Sequence, residues 1–359
     1  MMPRKCILNV KPYQPGKPIE EVKRDLGLKD VIKMASNENP LGPSPKALEA
    51  IRKYLSNVSR YPEGGCFYLR QALAKKLKAK PEQFIFGNGS DELIGLVLRA
   101  FVNEGDEVLV ASPTFLMYGV ASTAHGANIK VIPTRYFKYD LKAMKAAVTK
   151  NTKVVFIANP DNPNGTYVSK YELEDFLKGL PEDVIVFLDE AYFEFAEEQD
   201  YPNGLDYLGK GNIIVARTFS KAYGLAGLRV GYGISRPEII KYMEAVREPF
   251  NVNLLAQIGA LGALKDKEFL AKSKKLVREG KKFLYAGLKA MGVRYVPSVT
   301  NFILIELGPT AGEVSDKLLK KGVIVRNMKA WGLENFIRVT IGKDAENKRF
   351  IQELKKIIL

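Results

Sequence analysis

The chain has 359 residues, 46% hydrophobic and 26% charged, with 55 Lys and Arg against 40 Asp and Glu and a single histidine. Its length suits two domains of about 150–200 residues each, and its composition is that of an ordinary globular protein. One histidine, His125, and two distant cysteines, Cys6 and Cys66, exclude a multi-histidine zinc centre, and no Gly-x-Ser-x-Gly elbow supports a serine triad. Any base must therefore be Lys, Tyr, Asp or Glu, and His125, just before Gly126, reads as a helix-end or surface residue. The net charge of +15 lies in runs such as Lys265–Lys289 and Lys75–Lys80. There lysines alternate with Phe269, Leu276, Phe283 and Leu284 at helical spacing, which describes solvated helix faces rather than a nucleic-acid surface. Met1–Val10 lacks a signal-peptide pattern, and the apolar runs Val154–Ala158 and Val184–Leu188 are far shorter than a membrane span of about 20 residues. With two isolated thiols, the expectation is a cytoplasmic protein with no membrane or nucleic-acid partner.

In chain order, the N-terminal segment carries Pro12, Pro15, Pro18, Pro40, Pro43 and Pro45. It reads as a poor helix candidate that wraps from one domain to the other. From residue 84 strands and helices alternate. Strands are expected at Phe84–Gly87, Glu107–Ala111, Ile129–Ile132, Lys153–Ala158, Val184–Asp189, Ile213–Thr218 and Val230–Ile234. Helices are expected at Ser90–Val102, from Phe115, and near Leu141–Val148 and Ser169–Lys178. This alternation predicts an α/β fold with a mainly parallel sheet flanked by helices. After Pro249 the pattern changes to two long lysine-rich helices, short strands near Val293–Val296, Asn301–Glu306, Val323–Arg326 and Phe336–Ile341, and helices near Gly312–Lys321 and Ala345–Ile358. The division expected is a large domain over 41–250 and a smaller α+β domain made of 1–40 and 251–359.

Three strands end in polar residues: Lys153–Ala158 in Asn159-Pro160-Asp161-Asn162-Pro163-Asn164-Gly165, Val184–Leu188 in Asp189-Glu190-Ala191-Tyr192, and Ile213–Ala216 in Arg217-Thr218-Phe219-Ser220-Lys221. Ligands in parallel sheets sit at carboxyl ends of strands, so an Asn, an Asp and a Lys meet at one edge. Pyridoxal phosphate requires such a set. It needs a lysine to form an imine, a carboxylate at the pyridine nitrogen, donors at the phenolic oxygen, a flat side chain on the ring and a phosphate cup. Lys221, Asp189, Asn162 with Tyr192, and Tyr118 supply the first four. Gly89, Ser90 and Asp91 at a helix start, with Thr218, Ser220 and Arg229, can build the cup. Arg229 lies among apolar residues, and a buried guanidinium implies a buried anion.

The chain resembles the fold-type I pyridoxal-phosphate aminotransferases over nearly its whole length. The resemblance rests on Ala35-Ser36-Asn37-Glu38-Asn39-Pro40-Leu41-Gly42, Arg60-Tyr61-Pro62, Gly87-Asn88-Gly89-Ser90-Asp91-Glu92, Asn162-Pro163-Asn164-Gly165, Asp189-Glu190-Ala191-Tyr192 and Ser220-Lys221-Ala222-Tyr223-Gly224-Leu225-Ala226-Gly227-Leu228-Arg229-Val230-Gly231. Asn164 stands where the family commonly has Thr. The resemblance implies that Lys221 carries the cofactor and shuttles the proton. It implies that Asp189 pairs with the pyridinium, Asn162 and Tyr192 bond the phenolic oxygen, Tyr118 stacks on the ring, and Ser90, Asp91, Thr218, Ser220 and Arg229 line the phosphate site. Tyr61 is implied to reach the phosphate of a second subunit, so a homodimer is expected. Arg338 matches the substrate-anion arginine, with Arg326, Tyr13 and Asn301 as further substrate contacts.

Within the family the run from Val323-Ile324-Val325-Arg326 to Phe336-Ile337-Arg338-Val339 is most similar to the histidinol-phosphate aminotransferases. That implies exchange of an amino group between histidinol phosphate and 2-oxoglutarate. An aromatic amino acid aminotransferase and a threonine-phosphate decarboxylase remain alternatives, since a fold does not fix a reaction. A dinucleotide site is excluded because neither Gly224-x-x-Gly227 nor Gly87-x-Gly89 continues as the required glycine pattern. A transcription regulator carrying such a domain needs a separate DNA-reading module, and no helix-turn-helix pattern lies in the first 35 or so residues.

Overall fold

A computed structural model describes residues 2–359. Seven strands form one sheet in the spatial order Phe84–Gly87, Gly231–Ile234, Asn212–Thr218, Ile185–Asp189, Thr152–Ala158, Glu107–Ser112 and Asn128–Pro133. The last five are mutually parallel, and Gly231–Ile234 runs antiparallel to both its neighbours. The central strands are continuous apolar runs because helices cover both faces of the sheet; Val154–Ile157, Val186–Leu188 and Ile213–Ala216 are all buried. Register fixes what happens at the carboxyl edge. Asp189 stands beside Ala158 on one side and Ala216 on the other. The segments that follow these positions, ending in Asn162 and Lys221, must therefore emerge next to the Asp189 carboxylate.

The C-terminal body is a four-stranded antiparallel sheet in the order Arg326–Asn327, Phe336–Thr340, Phe302–Glu306 and Arg294–Val296. Helices Lys267–Ala290, Ala311–Lys320 and Asp344–Ile358 bury Val277, Leu284, Leu318, Phe350 and Leu354 in a common core with Phe302, Ile303 and Ile337. The stretch expected as one strand over Val323–Arg326 breaks in two. Val323–Ile324 pairs in parallel with Ile32–Lys33, while Arg326–Asn327 pairs with Phe336–Thr340.

The N-terminal segment is more helical than its prolines suggest. Helix Ile19–Leu26 begins directly after Pro18, and helix Pro45–Tyr54 has Pro45 in its first turn and Ser44 capping the Ala47 N–H at 3.3 Å. Proline lacks an N–H that the first helical turn would leave unpaired anyway, so it starts helices that it would break further in. The segment touches both bodies: Arg4 donates to the His125 carbonyl, and Ile32–Lys33 joins the C-terminal body. Helix Pro237–Ala245 was not anticipated, and the helix Leu254–Leu264 is apolar rather than lysine-rich. The latter packs on Pro45–Tyr54 so tightly that a Cβ on Gly262 would lie 2.6 Å from the Lys46 carbonyl oxygen. We therefore propose the same two-body division with the second boundary moved from 250 to Asp266, which caps Lys267–Ala290. His125 ends the helix Leu116–His125, its Nε2 2.7 Å from the Val102 carbonyl oxygen. Among the described residues no helix is long and apolar enough to cross a membrane.

Candidate active site

At the carboxyl edge of the large sheet lies a cavity of about 460 Å³. Its walls include Lys221, Asp189, Asn162, Tyr192, Tyr118, Gly89, Ser90, Asp91, Thr218, Ser220, Arg229 and Tyr13. Twelve of the residues singled out from sequence are thus brought together, while Tyr61, Arg338, Arg326 and Asn301 lie outside this lining.

Lys221 places its amine 5.7 Å from the centre of the Tyr192 ring. Burial, reinforced by the Arg338 charge, lowers its pKa to about 8, which gives a substantial share of the nucleophilic free amine near neutral pH. Burial pushes the Asp189 carboxyl up to about 6, against hydrogen bonds from the Tyr118 hydroxyl at 2.8 Å and the Ala191 N–H at 3.0 Å. Tyr118 is fully buried and its ring stacks on Phe156, centroids 4.8 Å apart. One ring face is thereby taken, so a stacked cofactor has only the other. Tyr192 is held neutral by burial, which pushes its hydroxyl up to about 12. That hydroxyl accepts from the Asn37 amide at 2.9 Å, so its own proton is free to be donated elsewhere. The Asn162 carbonyl oxygen accepts from Arg338 Nη1, leaving the NH₂ as the end that can donate to an oxygen acceptor.

The turn carrying Asn162 is tightly built. Asp161 is buried beneath it and accepts from the Thr114 hydroxyl at 2.9 Å. Gly165 has φ +79°, and a Cβ there would fall 2.5 Å from Ser298 Oγ, so only glycine fits. Asn164, the departure from the family's Thr, donates to the Pro113 carbonyl at 3.1 Å and stitches the turn to the segment leading into Tyr118.

The cup lies at the start of helix Ser90–Phe101. A Cβ on Gly231 would be 2.3 Å from the Ser90 nitrogen, so that glycine makes room for close backbone, and one on Gly89 would be 2.6 Å from Arg229 Nη2, so that glycine makes room for the guanidinium. The Thr218 hydroxyl bonds to Ser220 Oγ at 3.0 Å and accepts the Ser220 N–H at 3.1 Å. One expectation is corrected here. Arg229 is exposed rather than enclosed among strand residues, since it precedes the strand in a left-handed conformation with φ 57°. The case for an anion therefore rests on its reach into the cavity, not on its burial. Asp91 has a buried Oδ1 with no partner and a carboxyl raised by burial, so its contribution to an anion must come from its backbone N–H.

Outside the lining, Arg338 is 5% exposed and, among the described residues, is bonded only to Asn162 and to the Ala35 carbonyl, with Nε unpaired. Arg326 donates to the Gln14 carbonyl and lies over the Tyr13 and Trp331 rings. Asn301 donates to the Asn37 carbonyl at 3.0 Å. It supports Asn37, and through it Tyr192, instead of facing the cavity. Tyr61 is 83% exposed and stacks on Phe250.

Two features escaped the sequence reading. Asn37 sits at φ 54° with its N–H on Thr340 Oγ1, and its signal was an Asn, the residue that best tolerates that conformation, inside a quoted motif. Arg217 and Glu190 form a buried ion pair at 2.7 Å between the strand ends that carry Lys221 and Asp189. Their positions at adjoining strand ends were the available signal.

The donor set fits pyridoxal phosphate: a carboxylate with no cationic partner among the described residues, a lysine lowered by burial, two side-chain donors on the cavity wall, and a glycine-lined cradle beside a guanidinium. Fold and site together define a pyridoxal-phosphate-dependent transferase. Comparison with known proteins narrows this. Residues 29–354 match the family model "Aminotransferase class I and II". The chain is 50% identical over 357 residues to histidinol-phosphate aminotransferase of Moorella thermoacetica, covering 99% of this chain and 92% of that protein. It is 47% identical to histidinol-phosphate aminotransferase 2 of Carboxydothermus hydrogenoformans, covering 99% of each. The crystal structure of histidinol-phosphate aminotransferase from Sinorhizobium meliloti in complex with pyridoxal-5'-phosphate superimposes with a TM-score of 0.91 at 30% identity, covering 99% of this chain and 96% of that one. The chain belongs to the class I and II aminotransferases, and its cofactor is pyridoxal phosphate.

Proposed function

We propose that this aminotransferase exchanges the amino group between histidinol phosphate and 2-oxoglutarate, giving imidazole-acetol phosphate and glutamate. One observation carries the reading beyond the names of its relatives. Arg326 and Arg338 are directly opposite partners in the antiparallel sheet, and among the described residues neither pairs with a carboxylate. Like charges in that position destabilise a sheet unless an anion joins them. Burial lowers the Arg338 guanidinium from its ordinary value and the nearby Arg326 lowers it further, so a bound anion relieves both. Two guanidiniums suit a dianionic phosphate, and one suffices for a carboxylate.

Pyridoxal phosphate, when bound, supplies an electron sink for the carbon that loses its proton and carries the amino group between the two substrates. The residues of this chain do the rest. Ser90 N–H, Thr218, Ser220 and Arg229 hold the phosphate. Asp189 keeps the ring nitrogen protonated, and Asn162 and Tyr192 donate to the phenolic oxygen. Arg338 orients the substrate anion through a forked pair of N–H groups. Lys221, at the cavity edge with its pKa lowered by burial, would hold the cofactor and as a free amine would move the proton at the substrate carbon.

A panel of histidinol phosphate, phenylalanine, tyrosine and threonine phosphate, each offered with 2-oxoglutarate, tests the substrate. Preference for an unphosphorylated aromatic amine, or release of carbon dioxide from threonine phosphate, would overturn it. Arg338→Lys should impair both half-reactions, since lysine offers a point charge in place of a fork. Arg326→Ala should cost histidinol phosphate about 1.5–3 kcal/mol, the worth of one charge-assisted hydrogen bond, and cost unphosphorylated amines less. Equal effects in single-turnover measurements would make Arg326 a structural residue.

The active unit proposed is a homodimer in the cytoplasm. Tyr61, Phe250 and Val58 expose apolar surface around one cavity of the chain, which shares no lining residue with its own cofactor cavity. That supports a partner covering them and Tyr61 reaching the partner's phosphate cup. Both cysteines are unpaired, as suits a reducing compartment. Tyr61→Phe is expected to weaken cofactor retention in the dimer without blocking covalent attachment to Lys221. A fully active monomer by light scattering would remove this role.

A further inference from the structure

The hairpin Arg135–Lys138 closes through paired backbone bonds, Arg135 N–H to the Lys138 carbonyl at 2.8 Å and Lys138 N–H to the Arg135 carbonyl at 3.0 Å. Its two tip residues, Tyr136 and Phe137, have φ of 51° and 62°. Two-residue loops of this kind ask for Asn-Gly, and bulky aromatics in the left-handed region are outliers. Tyr136 is 86% exposed, with the Arg135 guanidinium 5.7 Å from its ring centre, so no packed core holds the turn on its side. Phe137 is different. Its ring meets Phe336 edge-on at 5.3 Å and packs against the cluster of Val296, Leu304, Met328 and Trp331. Those residues all belong to the C-terminal body, whereas the hairpin follows an edge strand of the large sheet.

The same residue is tied to the other half of the site through its backbone. The Thr166 hydroxyl donates to the Phe137 carbonyl at 2.6 Å, and the Thr166 carbonyl accepts the Asp161 N–H at 2.8 Å, in the turn that carries Asn162. On the far side of the cluster the Trp331 ring lies 5.1 Å from the Arg326 guanidinium and 5.8 Å from that of Arg338. The contact between Arg338 and Asn162 crosses this same junction.

We infer that Phe137 is a positioning residue for substrate anions. Its backbone holds the Asn162 turn while its ring clamps the C-terminal body, keeping Trp331 and the two arginines in place against Asn162. A strained turn persists where surrounding structure over-determines it, and here the ring needs that backbone to reach the cluster. The inference rests on the anion role proposed for Arg338.

The test is steady-state kinetics and thermal unfolding of the holoenzyme with Phe137→Ala, Phe137→Leu and the double change Tyr136→Asn with Phe137→Gly. Small misplacement of a binding group costs orders of magnitude in the worst case, so Phe137→Ala is expected to raise KM for both glutamate and histidinol phosphate about tenfold with kcat changed less than about threefold. Cofactor absorbance should not move, and Phe137→Leu should recover most of the loss by refilling the cluster. The Asn-Gly turn should unfold at a higher temperature than Phe137→Ala yet share its raised KM, because the backbone is relieved and the ring is gone. Wild-type KM in the Asn-Gly variant, or a Phe137→Ala enzyme with lower Tm and kcat but unmoved KM, would overturn the inference. Arg338→Lys measured alongside separates the two levels. If Arg338→Lys also leaves KM unchanged, the anion site itself is misplaced; if only Phe137→Ala is without effect, the positioning role alone fails.

Discussion

Lys221→Ala is expected to abolish turnover while leaving a folded protein that still binds the cofactor. Lys221 follows the strand Asn212–Thr218 at the cavity edge, and among the described residues it has no ion-pair partner whose loss would expose a buried charge. Loss of a positioned proton-transfer group costs about two to four orders of magnitude in rate. Loss of covalent attachment adds to this, because the substrate amine must then combine with free rather than pre-activated cofactor. The phosphate cup and Asp189 do not depend on the lysine, so cofactor retention should survive. Borohydride treatment of wild type should fix the cofactor to Lys221, and peptide mapping would read it out. A reduced adduct on any other lysine would sink the assignment. The rate at which cofactor attaches to the protein stripped of it should rise with pH through about 8, as the amine loses its proton. Arg338 contributes to that lowering, so Arg338→Lys, which keeps the charge, should leave this profile in place where Arg338→Ala shifts it upward.

The large sheet was legible because its strands are buried on both faces and read as unbroken apolar runs punctuated by turn residues. The same pattern gave Asn162, Asp189 and Lys221, since strand ends are where a parallel sheet must turn polar. Less could be read where the deciding physics is not local. Prolines 18 and 45 start helices, a distinction that depends on which N–H groups the neighbouring turn leaves unpaired. The apolar helix Leu254–Leu264 hides among lysine-rich neighbours and is settled by packing against Pro45–Tyr54. Arg229 lies two residues before the strand Gly231–Ile234, in a left-handed conformation after the short helix Ala226–Leu228, and apolar neighbours in sequence do not report that turn. The Arg217–Glu190 pair and the support that Asn301 and Asn37 give Tyr192 join residues far apart in the chain, which no single-sequence periodicity reports.

Asp189→Asn is the second change expected to remove most activity, and here fold and chemistry can be told apart. The side chain accepts from the Tyr118 hydroxyl and from the Ala191 N–H. Asparagine has nearly the same shape, and its carbonyl oxygen can keep one of these bonds, so the strand end should hold. What disappears is the negative charge. A ring nitrogen in a site as desolvated as that around Asp189 would lose its proton without a carboxylate beside it. The electron sink would then be weaker where the substrate carbon gives up its proton, so kcat should fall by orders of magnitude while the KM for substrate anions, which the proposal assigns to Arg338, changes little. The pH dependence supplies a second reading. Burial raises Asp189 to about 6 before the cofactor arrives, so the carboxylate that pairs with the pyridinium is present above that pH and protonated below it. Cofactor affinity of the stripped wild-type protein should therefore weaken as pH falls through about 6, and Asp189→Asn should flatten that profile. Near-normal turnover in Asp189→Asn, or an unchanged pH profile of cofactor binding, would mean that another group holds the ring nitrogen.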